Sequence, residues 1–155
     1  MRSMRRRLCQ VMFCFALGTP IFGQVSQASL RTLYGNPVKG SYAVGPGATM
    51  ATSSGPKGEV CVLTISGPIT ERELMAIIDV AVPTSSRGLA LDNFLDCVGA
   101  CQSIRDYEKV IIWSAVMSGQ TSKPAAIISS KSKNCEERAK EASAQGFSIK
   151  RQPSK

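Results

Sequence analysis

The sequence contains no histidine at all. That absence excludes Ser-His-Asp and Cys-His nucleophilic systems, imidazole general bases and the commonest catalytic metal sites. Aromatic residues are sparse, at 6%, with one tryptophan. A phosphate-cradling loop is missing too, because Gly45-Pro46-Gly47 lacks the glycine and lysine that should follow. Ser54–Lys57 and Ser130–Lys133 spell Ser-x-x-Lys, but the Ser-x-Asn and Lys-Thr-Gly companions are absent. The carboxylates read as helix caps: Glu71 and Glu73 in one helix, Asp92 and Asp96 in another. No catalytic residue, cofactor or metal is expected from this composition.

Long apolar runs are also lacking. Leu8 to Gly18 is the N-terminal candidate, eleven residues interrupted by Gln10. At ~1.5 Å rise per residue this covers about half of a ~30 Å hydrocarbon core. Arg2, Arg5, Arg6 and Arg7 precede it, Pro20 follows it, and Ser26-Gln27-Ala28 supplies a small-x-small pattern. Together these features predict a cleavable export signal over residues 1–28, with a cut after Gly23 as the second possibility. The protein is therefore expected in the periplasm or the medium, touching a membrane only through an uncleaved signal.

Removing residues 1–28 leaves 127 residues, with 15 basic against 11 acidic side chains and a net charge of +4 rather than +8. The length suits one domain, and the smaller charge takes away the support for a nucleic-acid partner. The remaining basicity is concentrated at the end, where residues 123–155 hold eight Lys/Arg against three Glu. Lys131, Lys133, Arg138, Lys140, Lys150 and Arg151 are the candidate contacts for a cell-wall polymer or an envelope protein.

Residues 29–58 are rich in Gly, Ser, Pro and Thr and read as a flexible arm, with a short strand possible at Ser41 to Val44. The ordered domain is expected over residues 59–151, with 152–155 as a frayed tail. Val60 to Ile65 is an apolar, β-branched run suited to a buried strand. Thr70-Glu71-Arg72-Glu73 matches a capping box, and Leu74, Ile77, Ile78 and Ala81 repeat at helical spacing, predicting a helix over 71–81. Gly88 to Leu91 suggests a short strand, and Phe94, Cys97, Val98, Cys101 and Ile104 or Arg105 suggest a helix stripe. Val110 to Met117 and Pro124 to Ser129 predict strands. Asn134 with Glu137 caps a last helix, which ends at Gly146 before a strand around Phe147 and Ile149. The alternation predicts an α/β or α+β fold: a small mixed sheet and about three helices in a layered sandwich. A parallel crossover is expected in the last strand–helix–strand unit.

Four cysteines remain after the signal: Cys61, Cys97, Cys101 and Cys135. An even set in an exported chain points to disulfides, and four cysteines allow three connectivities. Long-range pairs tying Cys61 and Cys135 to the 97/101 turn are favoured over zinc or a redox dithiol.

Two stretches resemble known families. IISSKSKNCEERAKEASAQGFSIK, from residue 127, resembles one half of a SPOR domain, which implies peptidoglycan binding. The strand, the GPIT helix and then GLALD are similar to the start of periplasmic ClpP/crotonase-like proteins. Asp92-Asn93-Phe94-Leu95 stands where that family carries Ser-x-Gly-Gly, which implies a degenerate hydrolase. The leading expectation is a non-catalytic exported binding domain.

Overall fold

The computed structural model describes residues 25–91, 95–99, 103–115, 125–144 and 147–151. Its architecture is α+β. A six-stranded sheet runs in the order β1-β2-β3-β7-β6-β5, from Ser41–Gly45, Ala48–Ser54, Val60–Ser66, Ala126–Ser130, Val110–Ser114 and Ser103–Asp106 respectively. Every neighbouring pair is antiparallel. A separate antiparallel ribbon joins β4 (Leu95–Gly99) to β8 (Phe147–Arg151). The helices are α1 (Gln27–Tyr34), α2 (Glu71–Ala81), the short α3 (Thr84–Arg87) and α4 (Glu136–Ala144), the last preceded by a 3₁₀ turn at Lys133–Cys135. Among the described residues, no helix is long and apolar enough to cross a membrane.

The sheet separates two apolar layers. Alternation along each strand sends Tyr42, Met50, Leu63, Ile65, Ile112 and Ile128 to one face, where Leu30 of α1 and Leu74, Ile78 and Ala81 of α2 cover them. Val62, Trp113 and Ile127 go to the other face, with Cys135 and Ala142 from the 3₁₀ turn and α4 above them. Each buried Leu or Ile contributes ~1.5–3 kcal/mol, so both layers are needed for stability.

Helix α2 begins and ends where the sequence predicts. The Thr70 hydroxyl accepts from the Glu73 amide at 3.3 Å and donates to the Glu73 carboxylate at 2.6 Å, while the Thr70 amide donates to the same carboxylate at 2.9 Å. The Thr70 hydroxyl, then the Thr70 amide, holds the Glu73 carboxyl below its ordinary value. A lowered carboxyl value stabilises the fold above the unfolded pKa of ~4.3 and loses that effect as pH falls through the folded value. Loss of the N-cap hydroxyl in Thr70→Ala should by itself cost about 1 kcal/mol. It should also flatten the acid limb of stability, as denaturation midpoints between pH 3 and 6 will report.

Residues 29–58 are not a free arm. They supply most of α1 together with β1 and β2, and β2 buries Ala48 and Met50 at alternate positions while exposing Thr49 and Ala51. A chain rich in Thr and Ser can form such a strand because one face needs few apolar side chains. Gly67 is fixed by the same packing. Its φ is 125°, and a Cβ there would stand 2.4 Å from the Gly47 carbonyl oxygen, at the β1–β2 turn.

Further expectations change as well. The stripe from Phe94 onward is not a helix in the described residues, because 95–99 and 103–106 are strands. The order on which the ClpP/crotonase-like resemblance rested is thus not formed. Gly88–Leu91 contributes an isolated bridge, Ala90 to Tyr107, instead of a strand. The last strand–helix–strand unit makes no parallel crossover, since β8 leaves the main sheet and pairs antiparallel with β4. Asn134 sits inside the 3₁₀ turn, so it does not cap α4. Gly146 and residues 152–155 lie outside the described residues, as do residues 1–24 of the expected signal.

Candidate functional site

Two turns build the candidate site. One is the β2–β3 hairpin turn, where Gly55 donates to the Glu59 carbonyl at 2.8 Å and Gly58 donates to the Gly55 carbonyl at 3.0 Å. The other is the 3₁₀ turn that feeds α4, in which the Cys135 amide donates to the Ser132 carbonyl at 2.9 Å. Between them lies an open cleft of about 560 Å³ lined by Ser54, Gly55, Pro56, Lys133, Asn134, Glu136, Glu137, Arg138 and Lys140.

A disulfide between Cys61 and Cys135 joins the same two turns, with Cα atoms 5.1 Å apart. This corrects the expected pairing of both cysteines with the 97/101 turn. The reason is a bulge: Ser53 faces Val62 and Ser54 faces Val60, so Cys61 is an extra residue in β3. The bulge lets Cys61 join Val62 and Cys135 in the layer under α4. Cys97 lies on β4, and Cys101 lies outside the described residues.

Glu59 stands beside the disulfide. Its Oε2 accepts from the Lys57 amide at 2.9 Å, whereas its Oε1 is buried without a hydrogen-bond partner among the described residues. A Cβ on Gly55 would meet the Glu59 Cδ at 2.8 Å and the Cys61 Sγ at 2.9 Å, so only glycine leaves the carboxyl its place. One carboxylate oxygen of Glu59 and the sulfurs of Cys61 and Cys135 lie within 4.8 Å of one another. Metal coordination by cysteine requires a thiolate, which a disulfide does not offer. The cluster is therefore a covalent staple with an adjacent carboxyl.

Of the six cations expected to make contacts, the cleft gathers Lys133, Arg138 and Lys140. Lys140 pairs with Glu136 at 3.0 Å and Arg138 with Glu141 at 2.9 Å. The Glu141 hydrogen bond and charge raise the Arg138 value further above an already cationic range. Lys131 is used elsewhere, in an ion pair with the largely buried Asp106 that ties the end of β7 to β5. Lys150 and Arg151 lie on β8, opposite Asp96 and Leu95 of β4. Ser54 of the first Ser-x-x-Lys accepts at 3.4 Å from Gln27, and Ser130 of the second accepts from the Ser132 amide at 3.2 Å.

No protein-family model, curated protein or solved structure matches this chain. The site therefore has to be judged on its own chemistry. Its lining mixes Lys133, Arg138 and Lys140 with Glu136 and Glu137, on a floor formed by the hairpin turn. Sequence reasoning found the cations from charge asymmetry but not the hairpin. Gly55-Pro56-Lys57-Gly58 read only as part of the flexible arm, and nothing local shows which distant helix it faces.

Proposed function

We propose that this chain is an exported, non-catalytic binding domain that holds a partner of mixed charge in the cleft between the hairpin turn and α4. The observation that carries this reading is the convergence of Lys133, Arg138 and Lys140 with Glu136 and Glu137 on one open depression. Arg138 and Lys140 have acidic partners within the helix, which leaves Lys133 without an ion pair among the described residues. Such a lining suits a peptide, or a wall polymer that bears peptides, better than a uniform polyanion. Export is supported by the arginines before the short apolar run and by the disulfide between buried cysteines.

The test is a pull-down of the purified protein with isolated cell wall and with envelope proteins. Wild type is compared with a triple variant, Lys133→Glu, Arg138→Glu and Lys140→Glu. Surface pairs of this kind contribute only ~0.3–0.5 kcal/mol each, so the variant should stay folded. Retention should fall about tenfold or more, equivalent to ~1.4 kcal/mol, and wild-type retention should weaken as salt shortens the screening length. Equal retention of both proteins would show that the cleft is not the contact surface.

A further inference from the structure

The first turn of α1 is part of the folded domain, although it overlaps the Ser26-Gln27-Ala28 pattern that marks a processing site. Ser26 caps the helix: its hydroxyl accepts from the Ser29 amide at 3.0 Å, and its carbonyl accepts from the Leu30 amide at 3.1 Å. Gln27 reaches across to the sheet. Its Nε2 donates to the Thr52 hydroxyl at 2.8 Å, and its Oε1 accepts from the Tyr42 hydroxyl at 2.6 Å. Tyr42 is 1% exposed, so Gln27 satisfies a phenol that has little access to water. Val25 packs against the cluster that contains Leu30 and Tyr42.

A cut after Ala28 would remove all three residues from the finished protein. It would also place a new ammonium group in the first turn of α1, beside the positive end of the helix dipole. The fold would lose the Ser26 cap of that helix, a part-buried hydrogen bond and an apolar contact together. Residues that make such contacts belong to the mature chain.

We infer that, on the export reading given above, the processing cut falls after Gly23, so that the mature protein begins at Gln24. Gly23 offers the small side chain needed immediately before the cut, and it lies a short polar-to-apolar stretch beyond the run that ends at Gly18. Ile21, the third residue before the cut, is the less favourable feature, and it follows Pro20 in the sequence. The Ser-x-Ala pattern downstream is then a coincidence of a capped helix start, where Ser and Ala are both favoured.

The experiment is expression of the full chain in a host with a secretory pathway, fractionation, and intact mass with N-terminal peptide sequencing. The expected product begins at Gln24, with that residue free or cyclised by loss of ammonia. Ala28→Leu, at an exposed position, should leave this start unchanged, whereas Gly23→Leu should block processing. A product beginning at Ser29, or at any other residue, overturns the assignment of the cut while leaving export standing. A full-length chain retained in the cytoplasm overturns both, because export itself has then failed. A full-length chain found in the envelope fraction overturns the cut alone.

Discussion

Replacing Cys61 and Cys135 with alanine lowers the stability of the domain by about 4 kcal/mol on a chain-entropy estimate for a loop of this size. The two cysteines are 74 residues apart, so their link removes a large part of the freedom of the unfolded chain. The effect is also local, because the linked segments are the bulge of β3 and the turn that starts α4. Helix α4 buries little besides Ala142, with Cys135 just before it, and its exposed face is charged. A helix so thinly anchored depends on the covalent tie more than α2 does with Leu74, Ile78 and Ala81. Chemical denaturation of the double variant, and of wild type with and without reductant, measures this. The variant and the reduced protein should lose similar amounts. If reductant leaves the midpoint unchanged, the link is not a stabilising one.

Arg87→Ala costs the next largest amount, about 2–3 kcal/mol. Arg87 is 3% exposed and belongs to a helix of only four residues. Its Nε donates to the Val82 carbonyl at 2.7 Å and its guanidinium pairs with Asp79 at 2.5 Å. The same guanidinium lies 5.6 Å from the centre of the Tyr107 ring. One side chain thus joins the end of α2, the short α3 and the strand β5 side of the sheet. Removing one member of a buried charge pair costs ~3–5 kcal/mol. The Asp79 side chain is 56% exposed, so solvent screens that partner and the expected loss is smaller. Asp79→Asn should therefore cost about 1 kcal/mol, well below Arg87→Ala. Thermal or urea melts of both variants decide it: equal losses would mean that the ion pair, and not the packing of Arg87, carries the stability.

Local chemistry made some elements legible and non-local pairing concealed others. Thr70 and Glu73, followed by Leu74, Ile78 and Ala81, define α2 without help from the rest of the chain. The apolar runs from Val60 and Val110 announce β3 and β6 in the same way. The stretch from Phe94 to Arg105 carried a helical stripe, yet residues 95–99 form a strand because β8 is available to pair with them. Residues 48–54 looked too polar for a core, although Ala48 and Met50 alternate as a half-buried strand requires. The cations of the cleft were visible as a charge excess, but their pairing with Glu136 and Glu141 follows from the helix that sets those residues one turn apart. The Cys61–Cys135 pairing depended on a single extra residue in β3, which no spacing rule reveals.

The strand order leaves β1 at one margin of the sheet, with its outer amides and carbonyls open to another chain. Such a margin is a template for runaway association between copies. Here it is five residues long, its register shifts between Ala43 and Gly45, and Pro37 and Pro46 stand on either side of it. Lys39 adds a charge at its entrance. A second copy laid along β1 would find few successive bonds, a bend and a like charge, so this margin is a poor template for another strand.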